Sequence, residues 1–326
     1  MNHNLRPRIN KTALAAALAI GCSFGTVAWA RDTRFLVTTG SPDGKLGALS
    51  RPAGSQGLET ETADDFVLTQ PTVISRATIH GLIPTGASVS SIARVEVEIY
   101  RVFPNDSNVD RTSGPPNFST VNVPTRTNSP SDHEIQAATR DFNDSTLGFI
   151  ATQISDFQVD NTVVDGINKF PLQLTHGEGP ARGEQVRIDI TFKSPLFLLP
   201  GHYFFRPEVE VSGGNFLFLS APRPITSGTP FPAGTTDLQA WIRNTNLTPD
   251  WLRIGTDIIG VGTFNMTFSL NGNTVREAGT PGQADCHGQT VSAITRQFGG
   301  IHASVSTLGY SSETALHDGI RAFCQE

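Results

Sequence analysis

The chain has 326 residues, of which 37% are hydrophobic and 17% charged, and its formal net charge is −6 at pH 7. This length allows one large domain or two small ones. The acidic balance excludes proteins that bind nucleic acid chiefly by neutralising phosphates, so we expect no nucleic-acid partner. The 31 glycines and 21 prolines disfavour an all-helical bundle and a doubly wound parallel sheet, because both residues interrupt regular elements.

Residues 1–30 have the three parts of a secretory signal peptide. A basic start is followed by an apolar run over about 13–27 and by the small-residue site Ala28-Trp29-Ala30. We predict cleavage after Ala30 and a protein that is secreted, periplasmic or held at the cell surface. The mature chain has no other apolar stretch near the roughly 20 residues that a membrane-spanning helix needs. We therefore expect no transmembrane segment in the mature protein.

The three cysteines divide between the leader and the C-terminal region. Cleavage after residue 30 removes Cys22 and leaves Cys286 and Cys324 in a compartment where disulfides persist, so we predict that these two are bonded. Two free thiols are the alternative. A second alternative concerns the leader itself: the three residues before Cys22 approach a lipobox, which would make the protein a lipoprotein acylated at that cysteine.

Alternating apolar and polar residues predict strands through the rest of the chain. In 91–101, Val95, Val97 and Ile99 fall on one face while Glu96 and Glu98 fall on the other, as in a half-buried antiparallel strand. Further strands are predicted at 34–38, 65–68, 73–83, 150–159, 184–193, 202–211, 215–219 and 264–270. Strands separated by turn-rich segments, with no helical period between them, indicate a β-sandwich or barrel over 31–273.

After residue 273 the apolar period lengthens to that of helices. Three apolar stripes begin at Val291, Ile301 and Leu316, and glycines follow the first two. We predict a linker over 274–285 and a helical tail over 286–326 that the disulfide closes. Three short helices with glycine turns also fit a helix-turn-helix, but export and an acidic chain oppose DNA binding.

Three segments carry a family resemblance: ETADDFVL at 61–68, VEIYRVFP at 97–104 and TDLQAWIR at 236–243. Together they resemble a group of uncharacterised exported bacterial proteins over about residues 34–271. The resemblance implies an all-β, jelly-roll-like antiparallel sandwich and no particular activity. Many members end in a sorting tail that opens Val-Pro-Glu-Pro, which is absent here. The segment from Gly279 to Cys324 instead resembles a small Cys-paired tail of other exported bacterial proteins.

The residues signal no nucleophilic enzyme. The Gly-Xaa-Ser-Xaa-Gly match at 21–25 lies in the leader, outside the strand-turn-helix context that it requires. No two mature histidines are closer than 15 positions, so the helical spacing of zinc ligands is missing. Four strand carboxylates are candidates for the acid and base of a carbohydrate-active hydrolase or lyase: Asp64, Asp65, Glu208 and Glu210. The alternation of Glu208 and Glu210 with valines instead predicts a solvated strand face.

Asp106, Asn108 and Asp110 place three oxygen side chains at the spacing of a calcium loop. Arg111 and Asn117 occupy the positions where an EF-hand has glycine and glutamate, so the EF-hand interpretation fails. A looser structural calcium site remains a candidate, and a polar loop whose side chains cap their own turns is the alternative. We expect no other cofactor.

Trp241, Arg243 and Trp251 combine aromatic and hydrogen-bonding side chains in what reads as one long loop. Such a set can stack on and hydrogen-bond a sugar, which makes it a candidate glycan site. The alternative is that both tryptophans plug the end of the sandwich. The sequence thus predicts an exported non-catalytic protein with a structural or interaction role, its partner a glycan or another cell-surface component, with a carbohydrate-active hydrolase or lyase as the alternative.

Overall fold

The computed structural model describes residue 1 and residues 33–54, 57–111, 123–140, 145–167 and 173–325, with the side chains of 137–140 excepted. The predicted cleavage site after Ala30 and Cys22 lie outside these residues. The described residues form fifteen strands and three α-helices. The strands are β1 (Arg34–Thr38), β2 (Leu46–Leu49), β3 (Thr60–Leu68), β4 (Thr72–Pro84), β5 (Ile92–Val102), β6 (Pro130–Arg140), β7 (Leu147–Val159), β8 (Asn161–Val163), β9 (Ala181–Leu198), β10 (Gly201–Val211), β11 (Leu217–Ala221), β12 (Trp241–Asn244), β13 (Leu252–Arg253), β14 (Asn265–Met266) and β15 (Phe268–Thr274). The helices are α1 (Cys286–Phe298), α2 (Ile301–Leu308) and α3 (Glu313–Gln325).

Two sheets make a sandwich, as the sequence predicts. Sheet 1 is built around β4, which pairs along one edge with β9 and through it with β7. Along its other edge β4 pairs with β15, which leads to β1, and with β11, which leads to β2, β8 and β14. Sheet 2 has the order β13-β12-β3-β10-β5-β6. The pairs are antiparallel except β2 with β8, which is parallel.

The hydrophobic core fills the space between the two sheets. Strand β5 illustrates how the sequence builds this core. Val95, Val97 and Ile99 point into the core, while Glu96 and Glu98 lie on the outer face of sheet 2. Period-two alternation in a strand sends successive side chains to opposite faces, so one face of β5 is apolar and the other charged. The predicted all-β sandwich is confirmed.

The C-terminal helices pack on the outer face of sheet 1. They share an apolar cluster with Val73 of β4 and Phe197 of β9, and burial of this shared surface holds the helices against the sheet. Helices α1 and α2 end at Gly299 and Gly309, both with positive φ, a backbone conformation that glycine adopts without steric cost.

The predicted disulfide between Cys286 and Cys324 is confirmed, with 5.8 Å between the two Cα atoms. It joins the first residue of α1 to the end of α3 and so closes the helical tail. Within the described ranges, no helix combines the length and the apolar character required to cross a bilayer.

Candidate functional site

A network of buried charges covers the outer face of sheet 2. Glu61 of β3 accepts hydrogen bonds from Arg243 of β12, including one of 2.9 Å from Nη2. Arg206 of β10 lies 3.1 Å from the same carboxylate and also pairs with Glu98 of β5. Tyr100 donates to Glu98 and accepts from Arg243 at 2.8 Å. Neighbouring strands thus bring opposite charges together, and each buried charge has a partner.

The burial of Glu208 contradicts the prediction that its side chain lies on a solvated strand face. Its side chain is 0% exposed and lies 2.7 Å from Nη1 of Arg206, whereas Glu210 is only half-buried. Burial raises the pKa of Glu208 well above its ordinary value, against the attraction of Arg206. Burial also pushes the pKa of Glu61 upward, but Arg243 and Arg206 outweigh it and hold that pKa below its ordinary value. The surroundings therefore shift the pKa values of these two carboxyls in opposite directions.

Trp241 and Trp251 are each 1% exposed, so neither offers a face to a sugar. Trp241 and Arg243 lie on strand β12 rather than in a loop. The guanidinium of Arg243 is 4.2 Å from the ring centroid of Trp251, and the indole N–H of Trp251 donates to the Ser131 carbonyl at 3.3 Å. Both indoles pack with Tyr100 and Phe204 in a cluster separate from the core between the sheets, which corrects the expectation of a surface platform at these residues.

The calcium candidates make hydrogen bonds and an ion pair with groups of the protein itself. The Asn108 side chain accepts from the Asp110 backbone N–H at 3.0 Å, and the Asp106 carboxylate lies 3.4 Å from Arg101. Asp132 instead holds the loop, accepting from the Asn108 N–H at 2.8 Å. The described residues contain no group of three or more histidine, cysteine or acidic side chains arranged for a metal ion. This geometry is that of a polar loop that caps its own turns.

The candidate acids Asp64 and Asp65 face opposite sides of sheet 2. Asp64 points toward the core and accepts from the Met266 N–H at 2.7 Å. Asp65 points outward, accepts from the Leu238 N–H at 3.1 Å and contacts Nε2 of His202. Because successive strand residues diverge, these two carboxyls do not line one cleft. Burial raises the pKa of both aspartates well above the ordinary value and lowers the pKa of His202 to about 4.

A groove of about 300 Å³ lies where the helical tail meets the sandwich. Its volume reaches the lower end of typical small-molecule sites, about 300–1,000 Å³. Apolar and aromatic side chains of β9 and α3 form part of its lining, and hydroxyl, amide and carboxylate groups form the rest. The lining residues are Gln136, Thr146, Ser194, Pro195, Leu196, Phe197, Tyr310, Ala315, Asp318, Gly319, Ala322 and Phe323.

Tyr310 gives this groove a polar group without a protein partner. Its side chain is buried, and its hydroxyl has no hydrogen-bond partner among the described residues. Burial raises the pKa of this phenol, so the hydroxyl remains a donor. A buried polar group left without a partner costs about 1–3 kcal/mol. Gly319 leaves room for this hydroxyl. Any other residue at position 319 would place its Cβ only 2.5 Å from the Tyr310 oxygen.

A smaller cavity of about 160 Å³ lies beside β1, against the loop that carries Phe231. His202 stands next to it, with its ring centroid 6.1 Å from that of Phe231. The cavity is lined by Phe35, Leu36, Val37, Val67, Thr69, Thr229, Pro230, Phe231 and Pro232. This lining is mostly apolar, and its volume falls below the usual range for small-molecule sites, about 300–1,000 Å³. It is therefore the weaker of the two cavities as a binding site.

The sequence identified neither the groove nor a histidine pair in the tail. His287 of α1 and His317 of α3 lie side by side, with 3.2 Å between ring nitrogens, although 30 positions separate them in the chain. No spacing motif reports such a pair, because it depends on how two helices pack. Comparison of the chain with protein-family models, curated proteins and solved structures gives no match.

Proposed function

We propose that the protein is an exported, non-catalytic interaction module that binds a glycan in the groove between α3 and β9. The observation that carries this proposal is made at Tyr310, a residue that lines the groove and whose buried hydroxyl has no hydrogen-bond partner among the described residues. A bound hydroxyl group would supply that partner and remove the cost of leaving it unpaired.

The chemistry of the lining favours a polyol. Gln136, Ser194 and Asp318 offer amide, hydroxyl and carboxylate groups around an apolar floor. Sugars present hydroxyls at their edges and C–H groups on their faces, so they need this combination of polar groups and apolar surface. A groove of about 300 Å³ suits one or two sugar rings rather than a long chain.

The strand carboxylates support a non-catalytic role. Glu61 and Glu208 lie inside the ion-pair network of sheet 2, where both pair with Arg206. Asp64 and Asp65 point to opposite faces. In a glycoside hydrolase the two carboxyls flank one scissile bond, and none of these four residues lines the groove.

Export is supported by the leader and by the Cys286–Cys324 bond, since disulfides persist mainly in oxidising compartments. We expect the intact mass of the secreted protein to begin at Arg31. A diacylated Cys22 at the N-terminus would replace this proposal with that of a lipoprotein.

The binding proposal is tested with the mature protein on an array of glycans and cell-wall polymers, followed by titration of any hit. We expect Tyr310→Phe to weaken binding while stability is unchanged or raised, because the variant keeps the ring and removes only the unpaired hydroxyl. Gly319→Ala should also weaken binding, since its methyl group meets the phenol.

Tyr203→Phe is the matched control. The hydroxyl of this buried tyrosine donates to the Leu199 carbonyl at 2.9 Å, and Tyr203 does not line the groove. This variant should lose about 1 kcal/mol of stability and bind as the parent does. If no glycan binds, or if Tyr310→Phe binds as tightly as the parent, the proposed site is wrong.

A hydrolase or lyase is the second candidate, favoured by the contact between Asp65 and His202 beside the smaller cavity. Product analysis of each bound polymer distinguishes the two functions. Cleavage that is lost in His202→Gln supports the enzyme. Binding without any product supports the interaction module.

A further inference from the structure

Two histidines face each other across the helical tail. His287 follows the bonded Cys286 on α1, and His317 lies on α3, which ends beyond Cys324. Nε2 of His287 is 3.2 Å from Nδ1 of His317, and the two rings stack with centroids 5.2 Å apart. Both side chains are half-buried, so their ring nitrogens remain within reach of solvent ions.

The distance between these two nitrogens matches the distance between two nitrogen ligands of one metal ion. Zinc–nitrogen bonds measure about 2.0–2.1 Å, so two imidazoles at a tetrahedral angle hold their ligating nitrogens about 3.3 Å apart. The observed 3.2 Å is within about 0.1 Å of that separation. Each ring then carries its proton on the other nitrogen, the tautomer that a metal-bound neutral imidazole adopts.

The surrounding charges leave this site open to a cation. Arg321 lies one turn beyond His317 but is ion-paired with Asp318. The disulfide holds α1 and α3 together, so the two ligands are positioned before any ion arrives.

We propose that His287 and His317 form a two-histidine site for a divalent transition ion of the Zn²⁺ class. Imidazole is a preferred ligand of Zn²⁺ and Cu²⁺ but not of Ca²⁺ or Mg²⁺. No third histidine, cysteine or acidic side chain joins the pair among the described residues, so water completes the coordination. The bound ion links α1 to α3 at a point separate from the disulfide.

The test is a calorimetric titration of ZnCl₂ into the secreted full chain, free of any affinity tag and first stripped with a chelator. We expect one ion per chain. His287→Gln and His317→Gln should each raise the dissociation constant by at least about tenfold, since even loss of a group that merely supports a ligand costs 10–100-fold.

His302→Gln is the control, because His302 is exposed on α2 and its Nδ1 pairs with Glu313 at 2.8 Å. This variant should bind zinc as the parent does. Zinc-dependent shifts of the His287 and His317 ring proton resonances, without a change in those of His302, provide a second readout. Absence of saturable binding, or equal binding by all three variants, overturns the proposal.

Discussion

Phe323 of α3 stacks on Phe197 of β9, with ring centroids 4.0 Å apart and ring planes inclined by 10°. Both rings are buried. One belongs to the helical tail and the other to the outer face of sheet 1, so the two parts of the chain share a single apolar cluster. The tail therefore depends on the sheet for part of its own core.

Loss of this stack should loosen the tail before the sandwich. We expect Phe197→Ala to cost about 3–5 kcal/mol, the usual range for removing a buried phenylalanine ring, and amide exchange should accelerate first in α1, α2 and α3. Leu36→Ala, at a position 53% exposed, should change stability by less than about 0.5 kcal/mol. Equal acceleration in β5 and in the helices would show that the tail and the sandwich unfold as one unit.

Removal of the disulfide should also destabilise the helical tail more than the sandwich. The bonded cysteines are 38 positions apart, and closing a loop of this size stabilises a protein by roughly 4 kcal/mol in the chain-entropy model. Replacing both cysteines by serine should therefore melt α1, α2 and α3 while protection in β5 and β9 persists. Hydrogen exchange with mass spectrometry measures both regions together, and unchanged protection of the helices would contradict the prediction.

Glu208 should make stability depend on pH. Because the pKa of Glu208 in the folded protein lies above its ordinary value of 4.5, its contribution is present below that value and is lost as pH rises through the folded-state pKa. Glu208→Gln keeps the shape of the side chain without a carboxyl that ionises. We expect the stability of this variant, relative to the parent, to grow as pH rises above about 4.5.

Denaturant titrations from pH 4 to 9 measure this difference. A Glu208→Gln variant whose stability relative to the parent falls with rising pH would contradict the prediction.

Calcium should not affect the loop around Asn108. The Asn108 side chain caps the N–H of Asp110, and Asp132 holds the Asn108 backbone. We therefore expect the melting temperature of the parent to be the same with calcium and with a chelator. A rise in Tm with calcium that disappears in the triple alanine variant of residues 106, 108 and 110 would restore the calcium site.

Period-two alternation predicted most of the long strands and limited the class to a sandwich or a barrel, but it missed the eleven-residue strand β6. It also missed β2, β8, β12 and β13, because elements of two to four residues are too short to show a period. It also placed Glu208 on a solvated face, since alternation separates the two faces of a strand but does not report what covers each face. The side chain of Trp251 packs against Tyr100 and Arg243 on the outer face of sheet 2, and no local pattern encodes that contact.

The candidate sites were less predictable than the fold. The groove gathers Gln136 of β6, Phe197 of β9 and Tyr310 of the tail, residues that come together only when both the sandwich and the tail have formed. The pair of His287 and His317 depends in the same way on the packing of α1 against α3. The side-chain types in an expected loop pointed to Trp241, Arg243 and Trp251, whose side chains are instead buried on the outer face of sheet 2.

The pairing of β1 with β15 joins the two ends of the sandwich, with Arg34 opposite Asn273. A chain that is synthesised N-terminus first presents β1 long before its partner β15 emerges. Until then, Phe35 and Val37 remain without the strand that pairs with them, and closing so long a loop slows folding. Completion of the sandwich therefore waits for the arrival of its last strand.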